Sequence, residues 1–388
     1  MTESVRIIIA GGGTGGHLFP ALNIAGALKE KYNAQITFIG TRYGIESRIV
    51  PAKGYHLVLI PVRGFQRTIS LQNILFPFRL WKSVRMCRKT LRTFKPHLVI
   101  GTGGYVMGPV IKAARKLSIP YILQEQNSYP GVTTRWLAQG AEIIFTTYEE
   151  AEKYLKGAKK IIVSGNPVNV HQTVPDKKTE QKFSELKPDL KIILVFGGSQ
   201  GSVNINRAVL NMVLENALPE GYQMLWQTGY RDFDEIKSRF KKAERTVPVS
   251  VTPFIEHMEQ VYPKTEFAIC RAGAMTISEL IKFRLPAIFI PLKSAAANHQ
   301  YKNALEIQKI NGGVLLDDDE NLSANLNREI KRWAGDQKLL KTMADNLKKM
   351  DRGNALEIII NEISKLLEND IDFPKLNKKA YDRTEFVG

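Results

Sequence analysis

A glycine-rich loop between a predicted buried strand and a predicted helix constrains this chain more than any other feature. Residues Ile7–Ala10 form a short apolar run, as in a buried parallel strand, and Gly11–Gly16 then holds five glycines around Thr14. Such glycines let backbone N–H groups approach a bulky polar ligand, and the start of the next helix adds unpaired donors and a positive dipole end. His17 follows at once and can titrate near neutral pH, which makes it a candidate general base.

Length and composition predict a soluble α/β protein of two domains. At 388 residues the chain exceeds one ordinary core, and strand-like and helix-like patterns alternate throughout. No apolar run approaches the roughly 20 residues that a spanning helix needs, and Met1–Arg6 lacks the features of a secretion signal. Cys87 and Cys270 lie too far apart for a metal or redox motif, so we expect both to be reduced in a cytoplasmic protein.

The formal net charge of +17 concerns the partners of the chain rather than its fold. Nucleic acid, an anionic membrane surface and phosphorylated substrates are all candidates, and a charge spread over a soluble surface is the common alternative. None of the usual nucleic-acid readout motifs occurs in the sequence, so we expect no nucleic-acid partner.

The chain repeats its own organisation. Arg6–Leu28 and Lys191–Leu210 each predict a strand, a glycine loop and a helix. Leu98–Gln124 and Phe267–Pro291 each predict a strand, a loop of small residues, a helix and a second strand. Two doubly wound, Rossmann-like domains are the simplest explanation, with ligands outside the carboxyl ends of the strands in an interdomain cleft.

We place the domain boundary at Gly165–Pro167, before a polar stretch typical of a linker. The predicted N-terminal domain is 1–165, and the predicted C-terminal domain is 166–351. The residues at about 352–368 have the period of an amphipathic helix, which we expect to pack back on the N-terminal domain. The charged tail 369–388 is expected to be disordered.

A dinucleotide site is an alternative for the first loop. Gly11, Gly13 and Gly16 match the pattern G-x-G-x-x-G, but the second predicted strand ends in Gly40-Thr41-Arg42, without the carboxylate that would hold a ribose. Arg42 would suit a 2′-phosphate, so NADP stays open as a less favoured ligand.

Two further loops have the composition of anion-binding sites. In Phe196–Gly201 the backbone N–H groups and the Ser199 hydroxyl suit a diphosphate, although a tight turn without ligand explains the pattern equally well. In Arg271–Glu279 small residues precede a helix, and the Glu279 carboxylate suits the paired hydroxyls of a ribose. The alternative for Glu279 is an acidic residue that stabilises a helix N-terminus.

The segment Arg63–Arg92 carries part of the positive charge. It combines apolar and aromatic residues with clustered cations, which suits an anionic membrane interface; the candidate side chains are Leu75, Phe76, Phe78, Trp81, Lys82 and Arg85. The alternative is an ordinary helix with its apolar side against the core and its cations in solvent.

The acidic run Asp317–Glu320 predicts a solvated turn, and we expect no metal site.

Taken together, these segments resemble the MurG family, the peptidoglycan N-acetylglucosaminyltransferases of the GT-B type, along nearly the whole chain. The stretches that share their order and spacing with this family are Gly11–His17, Gly101–Tyr105, Glu125–Asn127, Gly165–Val168, Phe196–Gly201, Cys270–Glu279 and His299–Gln300. The resemblance implies an inverting transfer of N-acetylglucosamine from UDP-N-acetylglucosamine to the C4 hydroxyl of the muramoyl sugar of lipid I, which gives lipid II. It implies neither an active-site metal nor another cofactor.

The same resemblance assigns the site residues by position. His17 corresponds to the base that deprotonates the acceptor hydroxyl, and the acceptor diphosphate is expected near Gly103, Gly104 and Tyr105. The other residues expected to bind substrate are Thr14, Gly15, Gly16 and Asn127 (the sugars), Ser199 (the donor diphosphate), Ile255 (the uracil, through its backbone), Ala274, Met275, Thr276, Ile277 and Ser278 (the phosphates), Glu279 (the ribose) and Gln300 (the transferred sugar).

Two positions depart from the family pattern. Asn169 stands where arginine is usual, so a charge contact to the donor or to the hinge is in doubt. Ala295–Asn298 lacks the acidic residue common before His299, which puts the hydrogen bonds around Gln300 in doubt.

Because the acceptor lipid stays in the bilayer, the apolar-basic segment is expected to bind anionic lipids at the cytoplasmic face of the cell membrane. Other cell-wall or division proteins are further expected partners.

Three alternatives stay open. A UDP-N-acetylglucosamine 2-epimerase shares the two-domain architecture and the donor but needs no acceptor. An NADP-dependent oxidoreductase would use the same glycine loop, and a non-enzymatic protein would bind anionic surfaces or nucleic acid by charge alone. Release of UDP with and without an acceptor discriminates among them.

Overall fold

The computed structural model describes residues 4–64, 76–168, 186–215, 217–242 and 248–369. Two positions named above, Leu75 and Asn169, and the tail beyond residue 369 lie outside these described residues. Within the described ranges the chain alternates strands and helices and forms two compact units.

Unit 1 comprises the described parts of Met1–Gln126, Pro130–Pro167 and Asn354–Gly388. Its sheet has the order β3-β2-β1-β4-β5-β6-β7 with every neighbouring pair parallel. The strands are β1 (Arg6–Gly11), β2 (Gln35–Gly40), β3 (His56–Leu59), β4 (Leu98–Gly103), β5 (Tyr121–Glu125), β6 (Ile143–Thr146) and β7 (Ile161–Val163). The helices that accompany them are α1 (Gly15–Tyr32), α2 (Glu46–Ala52), α3 (Phe76–Phe94), α4 (Gly104–Lys116) and α5 (Val132–Leu137), with a 3₁₀ turn at Glu149–Tyr154.

Unit 2 comprises Asn127–Tyr129 and the described part of Val168–Gly353. Its parallel sheet has the order β10-β9-β8-β11-β12-β13. The strands are β8 (Lys191–Phe196), β9 (Tyr222–Gln227), β10 (Val249–Thr252), β11 (Thr265–Cys270), β12 (Ala287–Phe289) and β13 (Gly313–Leu315). The helices are α6 (Val203–Leu214), α7 (Tyr230–Lys242), α8 (Met258–Val261), α9 (Ala274–Lys282), α10 (His299–Lys309), α11 (Leu322–Ala334) and α12 (Gln337–Met350), with 3₁₀ turns at Tyr262–Lys264 and Ala296–Asn298.

Each sheet is buried on both faces, which explains why its central strands read as unbroken apolar runs. In unit 1, Ile8 and Val99 point into one core, and Ile7 and Ile100 point into the other, because successive side chains of a strand alternate between faces. Unit 2 has the same two-core arrangement. The predicted class, two doubly wound Rossmann-like α/β units, is confirmed.

The last helix, α13 (Ala355–Asn369), belongs to unit 1 although it follows unit 2 in the chain. Its buried residues Ile359 and Ile363 pack in the same core as Leu18 and Leu28 of α1. At its polar edge Lys160 forms an ion pair of 2.6 Å with Glu362. The final helix of the described chain therefore completes the first unit by apolar packing.

The order of the strands brings two loops together in each unit. In unit 1, β1 and β4 are neighbours, and Gly11 at the end of β1 pairs with Gly103 at the end of β4. In unit 2, Phe196 at the end of β8 pairs with Cys270 at the end of β11. The helices after these strands leave toward opposite faces of a doubly wound sheet, so a crevice opens beside each pair of carboxyl ends.

Candidate active site

The predicted base lies directly against the second glycine loop of unit 1. Gly103 has a φ of +108° and Gly104 a φ of +77°, conformations that favour glycine. A Cβ atom on Gly103 would lie 2.4 Å from Cδ2 of His17, and one on Gly104 would lie 2.5 Å from the carbonyl oxygen of Gly12. Only a backbone without side chains allows this approach, which brings the predicted base and the predicted acceptor-diphosphate loop together.

Two hydrogen bonds orient His17. The Thr14 hydroxyl lies 3.1 Å from Nδ1 of the ring, and the Thr102 hydroxyl donates to the His17 backbone carbonyl at 2.8 Å. Gly15 and Gly16 are the first two residues of α1, so the half-buried ring projects from the first turn of that helix. A hydrogen bond at one ring nitrogen selects the tautomer and so decides which nitrogen can accept a proton.

A buried carboxylate holds the backbone of the first glycine loop through hydrogen bonds. Glu46 is fully buried and accepts hydrogen bonds from the backbone N–H groups of Gly13 (2.8 Å) and Thr41 (2.9 Å) and from the Thr41 hydroxyl (2.8 Å). A Cβ atom on Gly12 would lie 2.6 Å from this carboxyl group. The sequence analysis missed Glu46, for which the signal was weak: a single acidic residue shortly after the second predicted strand.

Tyr105 lies between the two loops of unit 1. Its hydroxyl is 3.3 Å from the Thr41 hydroxyl. A Cβ atom on Gly13 would lie 3.1 Å from the ring, and one on Gly64 would lie 3.2 Å from it. The ring is therefore held by the first glycine loop on one side and by the segment after β3 on the other.

Three buried side-chain amides, those of Gln124, Gln126 and Asn166, connect the end of β4 with the end of β5. The side chain of Gln126 donates to the carbonyl of Thr102 at 2.7 Å. The side chain of Gln124 donates to Oδ1 of Asn166 at 2.9 Å, and the Asn166 amide donates to the Gln126 carbonyl at 3.3 Å. Each amide is at most 3% exposed, so these bonds are protected from competition with water.

The glycine loop of unit 2 follows β8. Gly198 has a φ of +92° and Gly201 a φ of +75°, and a Cβ atom on Gly201 would lie 1.9 Å from the Thr228 carbonyl oxygen. Ser199 is exposed at the tip of this loop. The backbone therefore turns tightly enough to present Ser199 beside the N-terminus of α6.

The buried side chain of Gln227 joins this loop to the predicted uracil position. Its Nε2 atom donates to the Gly198 carbonyl at 3.0 Å, and its Oε1 atom accepts from the Ile255 N–H at 2.8 Å. Because that N–H is engaged, a contact to uracil through the backbone of Ile255 would use the carbonyl oxygen. Gln227 is a second functional candidate that the sequence analysis missed.

The residues predicted to bind phosphate form the first turns of α9. Ile277 donates its N–H to the Gly273 carbonyl at 2.9 Å, and its side chain is fully buried in the core. Ser278 donates its hydroxyl to the Ala274 carbonyl at 3.0 Å. The N–H groups of Met275 and Thr276 precede the first bond of the helix, where donors lack an intrahelical partner.

Glu279 lies one turn further along α9 and is held by Tyr262. The buried Tyr262 hydroxyl donates to Oε2 of Glu279 at 2.8 Å. The pKa of the Glu279 carboxyl is raised to about 7: burial raises it most, the hydrogen bond from Tyr262 lowers it, and the Glu259 charge raises it. The predicted ribose ligand therefore changes its charge near neutral pH.

The acidic run Asp317–Glu320 is not the fully solvated turn that its composition predicts. Asp318 accepts a hydrogen bond from Nη1 of Arg271 at 2.8 Å, and the two side chains are only 6% and 11% exposed. Arg271 also donates to the Ser202 hydroxyl at 2.7 Å, at the start of α6. Arg271, directly after β11, thus forms a structural ion pair with one acidic residue of the run.

Among the described residues no three His, Cys, Asp or Glu side chains cluster as metal ligands would.

Asn303, which the sequence analysis did not single out, organises the predicted sugar ligand Asn127 within unit 2. Its Nδ2 atom donates to Oδ1 of Asn127 at 3.1 Å. Its Oδ1 atom accepts from the N–H of Ser128 at 2.9 Å. Asn303 is fully buried on α10, so it fixes the orientation of Asn127.

Gln300, at the start of α10, accepts a hydrogen bond from the Leu292 N–H at 2.9 Å. Ala297 and Asn298 just before it have φ values of +51° and +55°. The hydrogen bonds around Gln300, which the sequence put in doubt, include this one, which ties the start of α10 to Leu292, three residues after β12.

Two aromatic residues of α3 do not face the core. Phe78 and Trp81 are 61% and 58% exposed, and their rings stack at 6.2 Å. The guanidinium of Arg85 lies 5.8 Å from the Trp81 ring centre, and Lys82 is exposed beside them. The core face of the helix is formed by other residues, namely Ser83, Val84, Cys87 and Leu91. No helix of the described chain is long and apolar enough to cross a membrane.

Family models match both halves of the chain. The N-terminal domain of glycosyltransferase family 28 matches residues 7–146, and the C-terminal domain of the same family matches residues 192–358. A UDP-N-acetylglucosamine–N-acetylmuramyl-(pentapeptide) pyrophosphoryl-undecaprenol N-acetylglucosamine transferase from Christiangramia forsetii is 38% identical over 374 residues, which cover 96% of this chain and 100% of the relative.

Solved structures agree with this assignment. MurG from Acinetobacter baumannii superposes with a TM-score of 0.75 at 26% identity, covering 94% of this chain and all of that one. A UDP-GlcNAc 2-epimerase from Neisseria meningitidis superposes with a TM-score of 0.67 at 14% identity over 94% of this chain, a likeness of fold alone. The chain therefore has a GT-B fold and belongs to glycosyltransferase family 28, in its MurG branch of UDP-N-acetylglucosamine-dependent N-acetylglucosamine transferases.

Proposed function

We propose that this protein transfers N-acetylglucosamine from UDP-N-acetylglucosamine to the C4 hydroxyl of the muramoyl-pentapeptide of lipid I, with inversion at the anomeric carbon. The observation that carries the proposal is the contact of the His17 ring with Gly103 and Gly104. A potential base and a loop suited to a diphosphate lie together there, as an acceptor that carries both a reactive hydroxyl and a diphosphate requires. The identity of 38% to a transferase of this specificity over 96% of the chain supports the same substrates.

His17 would act on the acceptor hydroxyl. The Thr14 hydroxyl can accept from Nδ1–H, a tautomer that places the lone pair on Nε2. Nε2 then removes the proton of the hydroxyl as its oxygen attacks the anomeric carbon of the donor. General base catalysis of this kind contributes about 10²- to 10⁴-fold in rate.

The UDP leaving group would be stabilised by unit 2. The exposed Ser199 and the N–H groups of Met275 and Thr276 are suited to the diphosphate, because helix N-termini and glycine loops present backbone donors to anions. Glu279 would accept hydrogen bonds from the ribose, and the Ile255 carbonyl would accept one from uracil.

The transfer is tested by UDP release from UDP-N-acetylglucosamine with and without lipid I. We expect UDP release only with lipid I, accompanied by a disaccharide lipid product. Turnover without acceptor to UDP and free sugar isomers would favour a 2-epimerase, whose fold is shared. No release under either condition would contradict both activities.

Substitution His17→Ala should lower kcat by about 10²- to 10⁴-fold and leave the Kd for UDP-N-acetylglucosamine within about twofold, since the ring acts on the acceptor. Steady-state kinetics and calorimetric donor titration measure the two quantities. His56→Ala, which removes an exposed histidine of β3, is the matched control and should change neither. An equal loss of donor affinity would mean that His17 only shapes the loop.

Donor binding should weaken as pH falls through 7. The pKa of Glu279 is raised to about 7, so the carboxylate that accepts ribose hydrogen bonds is ionised above this pH and protonated below it. Between pH 8 and pH 6 the ionised fraction falls roughly tenfold, and the Kd for UDP-N-acetylglucosamine should rise by up to about that factor. Glu279→Gln should bind more weakly at pH 8 and show a flat profile. A pH dependence that survives in this variant would assign the titration to another group.

We propose that the exposed face of α3 binds the cytoplasmic surface of the cell membrane. The stacked Phe78 and Trp81 beside Lys82 and Arg85 combine aromatic surface with positive charge, which favours an anionic interface. Phe76, the first residue of the helix, is half-buried and lies on the side of Ser83 and Cys87, so it is not part of this exposed face.

Replacing Phe78 and Trp81 by serine should lower the bound fraction in sedimentation with anionic vesicles several-fold, because the inserted apolar area is lost. Turnover on a short-chain, water-soluble acceptor should stay unchanged. Tyr230→Ser is the control for vesicle binding, since this ring of unit 2 is 71% exposed. Unaltered sedimentation of the double variant would return α3 to the role of an ordinary surface helix.

A further inference from the structure

Three glycines make room for the buried side chain of Glu46. A Cβ atom on Gly12 would lie 2.6 Å from the carboxyl carbon of Glu46, and one on Gly40 would lie 2.6 Å from its Cγ atom. A Cβ atom on Gly44 would overlap Oε2. Gly12 follows β1, whereas Gly40 and Gly44 lie at and after the end of the neighbouring strand β2. The backbone of two adjacent loops is therefore shaped around this carboxylate.

A helix-stabilising role does not account for the direction of this carboxylate. Glu46 is the first residue of α2, where an acidic side chain is favourable beside the N–H groups of the first turn. Its oxygens instead accept from residues outside α2. Oε2 accepts from the Gly13 N–H at 2.8 Å, and Oε1 accepts from the N–H and the hydroxyl of Thr41 at 2.9 and 2.8 Å. An ionised carboxylate is the form that accepts from all three donors.

The hydrogen bond to Gly13 fixes a rigid peptide unit between two loops. In a trans peptide the Gly12 carbonyl and the Gly13 N–H lie in one plane and point to opposite sides. The N–H points to Glu46, so the carbonyl points away from it, toward Gly104, on which a Cβ atom would lie 2.5 Å from the Gly12 oxygen. Through this one peptide plane, Glu46 sets how the first glycine loop approaches the Gly103–Gly104 loop.

The same peptide unit leads directly to the groups that orient His17. Thr14 follows Gly13, and its hydroxyl lies 3.1 Å from Nδ1 of the His17 ring. Gly13 has a φ of +84°, and a glycine can turn such a peptide over at little steric cost. The hydrogen bond from its N–H to Glu46 opposes this rotation. Loss of the bond would therefore displace the Thr14 hydroxyl and, with it, the ring of His17.

A second connection runs from Glu46 to Tyr105. Thr41 donates its one hydroxyl proton to Oε1 of Glu46, so the Thr41 oxygen is left to accept. The Tyr105 hydroxyl lies 3.3 Å from this oxygen and is therefore the donor in their contact. Tyr105 is the second residue of α4, in the loop expected to bind the acceptor diphosphate. The carboxylate thus orients groups on both loops of unit 1.

We propose that Glu46 is a positioning residue for the acceptor half of the reaction, acting on His17 through the Gly12–Gly13 peptide and on Tyr105 through Thr41. The proposal rests on the proposed function, because it takes His17 as the base and Tyr105 as a contact of the acceptor. An amide cannot replace this carboxylate. Each oxygen accepts from a backbone N–H, so a glutamine in either orientation would turn its own NH₂ group toward one of these donors.

Glu46→Gln should lower kcat by about 10- to 100-fold, because a misplacement of about 1 Å at a reacting group costs on the order of 10² in rate. The KM for lipid I should rise several-fold, whereas the Kd for UDP-N-acetylglucosamine, which would bind to unit 2, should stay within about twofold. Steady-state kinetics and calorimetric donor titration measure these quantities. Glu142→Gln is the matched control: this carboxylate pairs with Lys159 directly before β6, at the opposite edge of the sheet, and its loss should change none of them.

A double-variant cycle separates positioning from stabilisation of the fold. In a His17→Ala background, Glu46→Gln should lower kcat by less than about threefold, because the group that it positions is absent. A side chain that only stabilises the fold would cost the same factor in both backgrounds.

The connection to Tyr105 has its own variant. Thr41→Val removes the hydroxyl and keeps the backbone N–H that binds Glu46, so it should raise the KM for lipid I several-fold and leave kcat within about threefold. Thr41→Ser keeps a hydroxyl and should restore the KM of the unmodified enzyme. Thermal unfolding of each variant checks that the fold is intact.

Three outcomes would overturn the inference. An unchanged kcat and acceptor KM in Glu46→Gln would leave the carboxylate without a role in the reaction, and an equal loss with and without His17 would make it a purely structural residue. If Glu46→Gln does not fold, an unchanged acceptor KM in Thr41→Val would contradict the inference in its place. Absence of transfer to lipid I by the unmodified enzyme would instead contradict the proposed function itself.

Discussion

The parallel pairing of β1 with β4, and of β8 with β11, is the constraint on which both half-sites depend. Neighbouring parallel strands end at the same edge of a sheet, so Gly11 meets Gly103 in unit 1 and Phe196 meets Cys270 in unit 2. The strand register alone therefore places the loops that follow next to each other. The contact of His17 with the Gly103–Gly104 backbone is a consequence of this register, and it requires that both loop positions lack side chains.

Buried polar side chains, rather than cations, hold the backbone of these loops in place. Glu46 binds the backbone N–H groups of Gly13 and Thr41, and Gln227 binds the Gly198 carbonyl and the Ile255 N–H. Each side chain takes the place of water as the hydrogen-bond partner of these backbone atoms. Leaving such a buried backbone atom without a partner would cost about 1–3 kcal/mol. Backbone donors at the surface of these loops therefore stay oriented for a ligand.

The excess of positive charge divides into surfaces with different chemistry. On α3 the cations flank exposed aromatic rings, an arrangement suited to a lipid headgroup region. At Tyr43 the Arg63 guanidinium lies 3.8 Å from the centre of an exposed aromatic ring, a cation–π contact. Arg271 is different again, since Asp318 neutralises it inside unit 2. A net charge alone could not distinguish these three environments, because it counts residues without their neighbours.

The sequence by itself determined the fold class and the family, because both depend on local patterns: apolar runs of strand length, glycines at strand ends and the order of the motifs. It also made His17 a candidate base, since a histidine directly after a glycine loop stands out in the sequence alone. The tertiary structure alone decided that Ile277 turns into the core, that Asp318 pairs with Arg271 and that Arg63 stacks on Tyr43. These contacts join residues that are distant in the chain or face away from the expected ligand. Their physical reason is packing across neighbouring strands and helices, which no local periodicity encodes.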